Sequence, residues 1–428
     1  MRRRVVVTGL GVVAANGVGL TQFLQGLHEG RSGIVHDPER ERLSFACQVV
    51  GMPMVDAAVV NQHFSSTQLR AMNEIMVYSG LAAIECWQEA GLEVSDSMSG
   101  CPDWDTGVIF ATGVGGIDTV GHKLAPNTDA AEVRKLGSAI VEQVMCSAPS
   151  AFVGGILGLG GPVSTNSSAC CSGTEAILLG LREIQEGRAE RMLVGGAECS
   201  SYYVAAGFDA MRVLARGWNT EPARASRPLS ATANGFVPSA GAGALLLESL
   251  ESAQRRSVRI YAEVLGGANN CGGQRNGGSM SASNYQGVER CITMALQNAK
   301  VDAESIGYIN GHLTATGADI IEIRNLERAL GRHGSDFPYI NSTKSMIGHA
   351  LGASGAIESV ATVLQIFHGF LHPSINCDDI HPAIEQIADS VVRTVMPKKI
   401  HAALKTSFGF GDVNACIVFG SSTHLGNC

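Results

Sequence analysis

Hydrophobic and polar positions alternate in two patterns along this chain. Short runs rich in Val, Ile and Leu are bounded by Gly, Asn and Ser, which is typical of buried strands, and longer stretches carry apolar residues at helical spacing. The short runs predict strands over residues 4–8, 107–111, 163–165, 191–197, 243–248, 259–265, 307–310, 339–341, 401–407 and 415–420. The periodic stretches predict helices over residues 67–90, 288–300, 321–330 and 355–368. This alternation indicates an α/β protein.

The order of these elements suggests a duplication. Five predicted strands precede the polar stretch 251–257 and five follow it, so we expect two similar halves, residues 1–255 and 256–428. The hypothesis rests on element order, because the two halves share little residue identity. Residues 266–283 and 212–232 have poor periodicity and are predicted to be surface or active-site loops.

Composition narrows the classes of function. Charged residues make up 16% of the chain and the formal net charge is −8, with no basic run beyond residues 2–4, so a nucleic-acid partner is not expected. No apolar run reaches 18 residues, which predicts no membrane span. The 12 cysteines include no CxxC pair, which argues against a structural metal and for a reducing, cytoplasmic compartment. The 52 glycines indicate many close backbone approaches.

The most informative segment is residues 161–180. A short strand leads into a run of small residues and then into an apolar helix, so Cys170 and Cys171 lie at the helix N-terminus. Unpaired N–H groups and the positive end of the helix dipole favour a thiolate there, which makes a nucleophile one interpretation. The alternative is that the small residues only permit close packing around a buried cysteine.

Three later segments place polar groups just after predicted strands, where open α/β sheets form their sites. They are residues 310–316, 341–350 and 406–411. The first two contain His312 and His349, each of which on its own could be a structural hydrogen bonder. Lysine is scarce in this chain, and Lys344 lies in a small-residue loop. A cysteine, two histidines and a lysine suit acyl thioester chemistry, and Asp319 and Glu322 are expected to pair with Lys344.

These motifs together resemble the β-ketoacyl–acyl carrier protein synthases of the elongating, two-histidine class. The resemblance runs over nearly the whole chain and rests on four motifs in the same order. They are the opening strand at residues 3–11, the nucleophile motif at 169–173, the Lys-Ser-Met-Ile-Gly-His motif at 344–349 and Gly-Phe-Gly at 409–411. The resemblance implies a thiolase-like fold, a five-layered αβαβα sandwich.

The resemblance also assigns roles to residues. It implies that Cys170 accepts the acyl chain, that His312 and His349 promote decarboxylation of a malonyl group, and that Lys344 sets the electrostatics with Glu322 and Asp319. Backbone N–H groups of Cys170 and Phe410 would form the oxyanion hole. The remaining residues implied to bind or shape the substrate are Thr314, Thr316, Phe236, Phe410 and Val114. Neither a metal nor a separate cofactor is implied, since the substrates are carried on the phosphopantetheine of acyl carrier protein.

The chain departs from the family pattern in two places. Residues 227–243 keep Gly-Phe-Val, but Ser230, Asn234 and Ala240 stand where acidic residues are usual, and Ala233 where Arg often is. Leu313 replaces a glycine after His312, and the stretch to Asp319 is one residue short. We therefore expect that charge pairs near the active-site loop have been removed. The departures favour a specialised polyketide or polyene pathway over housekeeping fatty-acid synthesis.

Two alternatives come from other classes. Some family members are non-catalytic partner subunits that set chain length, although such partners usually lack the nucleophile. A nucleotide-dependent dehydrogenase is the second alternative, because residues 9–14 fit a phosphate-binding fingerprint after a strand and Asp37 follows a short apolar run. The low charge content and the family resemblance predict a homodimer, with a heterodimer containing a chain-length factor as the other option.

Overall fold

The computed structural model describes residues 2–94 and 100–422, so the outermost residues of the two predicted halves and the segment 95–99 lie outside the described residues. The described strands are β1 (Val5–Ala14), β2 (Gly17–Val18), β3 (Ile34–His36), β4 (Val49–Gly51), β5 (Thr106–Ala111), β6 (Val163–Ser164), β7 (Arg191–Glu198), β8 (Gly241–Ser249), β9 (Ala262–Cys271), β10 (Ile306–Asn310), β11 (Tyr339–Asn341), β12 (Phe370–Leu371), β13 (Met396–Pro397), β14 (Ala402–Gly409) and β15 (Val413–Gly420).

The α-helices of the same residues are α1 (Leu20–Glu29), α2 (Pro38–Arg42), α3 (Ala57–His63), α4 (Ser66–Ala71), α5 (Glu74–Glu89), α6 (Ile117–Thr119), α7 (Ala125–Asp129), α8 (Ile140–Val144), α9 (Ala148–Leu157), α10 (Ser172–Gln185), α11 (Tyr202–Ala210), α12 (Leu250–Arg256), α13 (Tyr285–Ala299), α14 (Ala318–Leu330), α15 (Lys344–Ile347) and α16 (Ser354–His368).

The sheet topology repeats. The order β6-β5-β7-β8-β1 in the first half and β11-β10-β14-β15-β9 in the second is in both cases third, second, fourth, fifth and first strand. The first three strands in each order run parallel, and the remaining two pairings are antiparallel. Strands β1 and β9 join the halves through antiparallel pairing of Val6 with Glu263. This topology agrees with two similar halves, and the boundary between residues 255 and 256 stays a prediction.

Helices form three layers around the two sheet halves. The central layer is α10 and α16, which pack against each other and contact strands of both halves. Helices α5 and α9 cover the outer face of the first half, and α13 and α14 cover that of the second. The apolar stripes of α10 and α16 are almost entirely buried, because these helices have a sheet on either side. The five-layered αβαβα sandwich predicted for the chain is therefore confirmed.

Some predicted elements change in the structure. The helix predicted over 67–90 is two helices, α4 and α5, because the Asn73 side chain accepts a hydrogen bond from the Met76 N–H and caps α5 there. The polar stretch predicted as a junction is largely helix α12. Residues 266–271, predicted to be loop, continue β9 because they pair with β15. These differences come from side-chain caps and from pairing between distant strands.

The dehydrogenase alternative is wrong on structural grounds. The Gly9–Ala14 segment lies inside β1 instead of forming a phosphate-binding turn before a helix. A Cβ at Gly9 would lie 2.3 Å from the Cys86 carbonyl oxygen, and one at Gly11 would lie 1.9 Å from that of Ala82. The glycines of this segment therefore allow α5 to pack closely across the strand.

Candidate active site

Cys170 lies in a sharp turn that leads into the central helix α10. Ala169 adopts φ +49°, an uncommon conformation for a residue with a side chain, and α10 starts two residues after the cysteine at Ser172. The Ser172 hydroxyl donates to the Ala169 carbonyl oxygen at 2.6 Å and holds the turn. Strain held by surrounding contacts at such a turn is common at functional sites, because it presents a side chain that a regular helix would cover.

The electrostatic environment of Cys170 differs from the expectation of a stabilised thiolate. Burial raises the pKa of the Cys170 thiol to about 11, and the Lys344 ammonium and the Phe410 N–H, which donates to the sulfur, offset only part of this. The resting cysteine is therefore a thiol that must lose its proton when it reacts. Cys171 is excluded as a nucleophile, because its buried thiol donates to the carbonyl oxygens of Ser407 and Val413.

His349 lies directly against the Cys170 thiol. Its Nε2 is 3.1 Å from Sγ, and its Nδ1 is 2.9 Å from the Ser354 Oγ at the start of α16. The backbone is fixed next to Gly348, which has φ +77°, by a 2.7 Å hydrogen bond from the His349 N–H to the Val237 carbonyl oxygen. Burial lowers the pKa of His349 well below its usual value, and the charges of Lys344 and Lys405 add to this effect. The imidazole is therefore neutral at physiological pH.

His312 occupies the other side of the cysteine. It follows β10, its ring lies edge-on to that of His349 at 5.3 Å between centroids, and its Nδ1 is 3.4 Å from the Lys344 Nζ. Burial lowers its pKa well below the usual value, with Lys344 as the next cause. Because an ammonium can only donate, Nδ1 accepts and the proton of neutral His312 lies on Nε2.

The carboxylates Glu322 and Asp319 hold the loop that carries His312. Glu322 accepts from the backbone N–H groups of His312 at 2.7 Å and Leu313 at 2.8 Å. Asp319 accepts from the N–H groups of Thr314 at 2.7 Å and Ala315. Leu313 has φ +21° and Ala315 φ +63°, so these contacts maintain a backbone that side chains disfavour. Burial raises the pKa of Asp319 to about 7.

The expected direct pairing of Lys344 with Asp319 and Glu322 needs correction, although the charge of Lys344 is among the causes that lower the pKa of Glu322 against the larger effect of burial. The direct ionic partner of Lys344 is Glu358 on α16, and the other oxygen of that carboxylate lies 2.8 Å from the Nζ of Lys405 on β14. The three side chains are buried. Sequence reasoning missed Glu358 and Lys405, although Glu358 stands alone as an acidic residue inside a long apolar helix, which is a signal that could have been noticed.

A cavity of about 520 Å³ leads to these groups. Its lining includes Cys170, both histidines and four of the predicted substrate residues, which are Thr314, Thr316, Phe236 and Phe410. Phe208, which the sequence did not single out, lies between Phe236 and Phe410 with ring centroids 5.2 and 5.8 Å away. Val114 is not part of this lining; it lies half-buried after β5, where its N–H donates to Glu198. The structure brings together all the predicted residues except Val114.

The donor atoms of Cys170, His312 and His349 lie within 4.8 Å of one another. Among residues 2–94 and 100–422, this is the group of side chains with the spacing to hold a metal ion. A cation there would stand beside the ammonium groups of Lys344 and Lys405, which repel it. The donor set is better suited to neutral hydrogen bonding around a sulfur nucleophile than to metal ligation.

The expectation that charge pairs are missing around residues 227–243 needs correction. Asp379, distant in sequence, accepts from the Arg227 guanidinium at 3.1 Å and from the hydroxyls of Ser230 and Thr232. These contacts lower the pKa of Asp379 to about 2 despite the opposing effect of its partial burial. The Asn234 side chain bonds to the backbone of Arg216, and Ala240 is buried. One acidic residue from outside the segment therefore organises this loop.

Fold and site together define a thiolase-like protein in which a cysteine and two histidines meet at one cavity. Comparison with known proteins agrees. The β-ketoacyl synthase N-terminal domain family matches residues 2–253, and the C-terminal domain family matches residues 261–378. The chain is 33% identical over 424 residues to 3-oxoacyl-[acyl-carrier-protein] synthase 2 of Vibrio harveyi, covering 98% of each protein. It is 35% identical over 432 residues to the chloroplastic synthase II of Arabidopsis thaliana, covering 98% of this chain and 76% of that one.

Solved structures show the same relationship. A β-ketoacyl synthase from Burkholderia phymatum superimposes with a TM-score of 0.88 at 28% identity, covering 98% of this chain and all of that one. A chain from the complex of a type II polyketide synthase acyl-carrier protein with its ketosynthase superimposes with a TM-score of 0.86 at 30% identity and the same coverage. This chain belongs to the β-ketoacyl synthase family and is an acyltransferase-type condensing enzyme. Among residues 2–94 and 100–422, no helix combines the length and apolarity needed to cross a membrane.

Proposed function

We propose that the chain accepts an acyl group on Cys170 from an acyl carrier protein and condenses it with malonyl-acyl carrier protein. The observation that carries this proposal is the position of Cys170, whose sulfur contacts the neutral His349 at 3.1 Å at the cavity base, with His312 on its other side. Support for the carrier comes from the relatives, which are named acyl-carrier-protein synthases, and from the structural relative solved with its carrier.

In the loading step, the Cys170 sulfur attacks the incoming thioester. Its S–H faces His349 Nε2, which takes up the proton as the S–C bond forms, and the departing carrier thiolate recovers that proton. The product is an acyl-cysteine and a free carrier thiol. In this proposal the N–H groups of Cys170 and Phe410 hold the negative oxygen of the intermediate, and the Phe410 N–H, which donates to the sulfur, supports that role.

In the second step, malonyl-acyl carrier protein enters and loses CO₂, which leaves an enolate. The Nε2–H of His312 donates to the enolate oxygen, and its other nitrogen accepts from Lys344. Once Cys170 is acylated its S–H is gone, so neutral His349 can change tautomer and move its proton from Nδ1 to Nε2. Its Nδ1 then accepts from the Ser354 hydroxyl, and its Nε2–H donates to the enolate oxygen. The enolate carbon then attacks the acyl-cysteine, and the released Cys170 thiolate takes one proton from solvent, which balances the loss of CO₂ from the malonyl carboxylate.

The cavity lining suits a carrier-borne substrate. The hydroxyls of Thr314 and Thr316 lie 3.0 Å apart on the cavity wall and can bond the amides of a phosphopantetheine arm. Phe208, Phe236 and Phe410 supply the apolar wall, and Phe410 gates the acyl pocket in this proposal. No separate cofactor is needed for these steps.

We favour the catalytic subunit over a chain-length partner because the nucleophile, both histidines and Lys344 are assembled at one cavity. A homodimer is the proposed state, and a heterodimer is the alternative, since one structural relative is a ketosynthase/chain length factor structure with a TM-score of 0.88. The specialised polyketide context and the cytoplasmic location stay predictions, supported by the unusual loop around Asp379 and by the cysteine content.

The test compares two neighbouring cysteines. Cys170→Ala should abolish acyl transfer from octanoyl-acyl carrier protein, whereas Cys171→Ala should retain most of it, because the Cys171 thiol is bound inside the core. Intact-protein mass spectrometry reads the acyl adduct, and product analysis with malonyl-acyl carrier protein reads condensation. An adduct that survives in Cys170→Ala would refute the assignment. Condensation by the purified chain alone distinguishes the catalytic subunit from a chain-length partner.

A further inference from the structure

Lys405 lies beneath the active site and has no role in the mechanism above. It sits on β14, is fully buried, and its Nζ has three acceptors around it. They are Glu358 Oε2 at 2.8 Å, Ser407 Oγ at 3.0 Å and the Thr406 carbonyl oxygen. Burial lowers the pKa of Lys405, and the adjacent Glu358 carboxylate opposes this effect because it favours the ammonium form.

Lys405 shares one carboxylate with the active-site lysine. Glu358 bonds Lys344 through one oxygen and faces Lys405 with the other. Two positive charges and one negative charge leave the buried trio with a net charge of about +1, which is costly to bury. The buried carboxyl group of Glu322 interacts with both lysines and offsets part of this charge. If Lys405 were absent, Glu358 would neutralise Lys344 completely.

The surplus charge is close to the reacting groups. Lys344 contacts His312, and the positive charge of Lys405 is among the causes that lower the pKa of both His312 and His349. The neighbouring residue Thr406 donates to Glu322, which holds the His312 backbone. A fixed positive charge at this position stabilises a negative charge that develops on the substrate between the histidines.

We propose that Lys405 is a positioning residue for the condensation step, which offsets the charge of Glu358 so that Lys344 keeps a net positive charge at His312. The inference rests on the proposed function. It predicts that the enolate-forming step depends on Lys405 more than the loading of Cys170 does, because an acyl group transfers between two sulfurs without a free enolate.

The experiment changes the net charge of the trio formed by Lys344, Lys405 and Glu358. Lys405→Met removes the cation and leaves a trio of zero net charge, Glu358→Gln leaves about +2, and the double variant Lys405→Met/Glu358→Gln returns to about +1. Each full-length variant is assayed with octanoyl- and malonyl-acyl carrier protein for loading of Cys170, for kcat and KM of condensation, and for thermal unfolding. Lys405→Gln replaces Lys405→Met if the latter does not fold.

The expected result for Lys405→Met is loading within about twofold of wild type, kcat of condensation lower by about 10- to 100-fold, and KM for malonyl carrier nearly unchanged. The double variant should recover at least about fivefold over Lys405→Met, which a purely structural role of Lys405 does not explain. Equal loss of loading and condensation, or a double variant no better than Lys405→Met, overturns the inference. Failure of the proposed function is distinct, because the wild-type chain would then not condense.

Discussion

The connections after the third strand of each half have the same topology but carry different functional groups. In the first half, the connection from β6 carries Cys170 and enters α10; in the second, the connection from β11 carries Lys344 and His349 and enters α16. The two helices lie side by side in the central layer. The duplicated fold therefore brings two different loops to one point, and the site forms where the equivalent helices begin.

The two halves also treat buried acids differently. Glu198, at the end of β7, accepts hydrogen bonds from the N–H groups of Gly113 and Gly352 and from the Thr112 hydroxyl. Glu358, in the second half, lies between the ammonium groups of Lys344 and Lys405. One acid thus joins backbone segments of the two halves, and the other belongs to a charged network. The two halves therefore share their strand order but differ in the groups that surround their buried acidic residues.

The largest expected effect is the loss of condensation when either histidine is removed, and the rate of loading distinguishes the two histidines. His312→Ala and His349→Ala should each lower condensation by about 10²- to 10⁴-fold, because each removes a donor to the enolate. His349→Ala should also slow loading, because His349 is the histidine that is bonded to the Cys170 sulfur. Single-turnover loading followed by mass spectrometry measures the difference. Equal loading defects in both variants would contradict the division of roles.

A pH experiment sharpens the comparison of the acids. Burial raises the pKa of Glu198 to about 7, whereas an unfolded glutamate titrates near about 4.3. Because the folded pKa is the higher one, the unfolded chain releases the proton first, and stability is lost as the pH rises between these values. Relative to Glu198→Gln, the wild-type free energy of unfolding should fall by about 2 kcal/mol from pH 5 to pH 8.

Urea unfolding of both proteins at the two pH values checks this. The Glu198→Gln variant is the control for every other titrating group of the wild type, since only residue 198 differs. A difference between wild type and variant that stays constant with pH would show that Glu198 titrates in the folded chain as it does in the unfolded one.

One added methyl group between the central helices α10 and α16 should disturb their packing. A Cβ at Gly355 would lie 2.2 Å from the Thr174 Oγ1. Gly355→Ala should therefore destabilise the fold by about 1–3 kcal/mol through overpacking. Gly207→Ala in α11 is the matched control, because no atom lies within 4 Å of its added Cβ, and helix propensity should make it neutral or stabilising by up to about 1 kcal/mol. Thermal unfolding that ranks the two variants in the opposite order would contradict the packing argument.

The smallest expected effect concerns Ser354. Ser354→Ala removes the partner of His349 Nδ1, and kcat should fall by about 3- to 10-fold with little change in stability. Ser359→Ala is the control, because its hydroxyl bonds the Gly355 carbonyl oxygen on the same helix and does not contact the site. Steady-state condensation assays measure both. A Ser354→Ala enzyme with full activity would show that His349 needs no partner at Nδ1.

The local pattern of residue types was enough to predict most strands and the position of the principal site residues in the chain. Valine-rich runs and small-residue turns predicted where Cys170, His312 and His349 lie in the chain, because a strand that ends in a short polar turn has a local signature. The helix over 67–90 was wrong because the cap at Asn73 outweighs an apolar stripe that continues through it. The extension of β9 to Cys271 was missed because pairing with β15, more than a hundred residues away, decides it.

By itself, the sequence determined the α/β class, the repeated order of elements, and the cysteine, histidines and lysine of the site, because each of these depends on residue type and short spacing. The family resemblance already pointed to Cys170, and the structure placed the Cys171 thiol in the core. Only the tertiary structure decided that Lys344 pairs directly with Glu358, whose second oxygen pairs with Lys405. It also placed Val114 away from the cavity. The physical reason is that burial and charge partners are set by contacts between the two halves, and these contacts have no local signature in the chain.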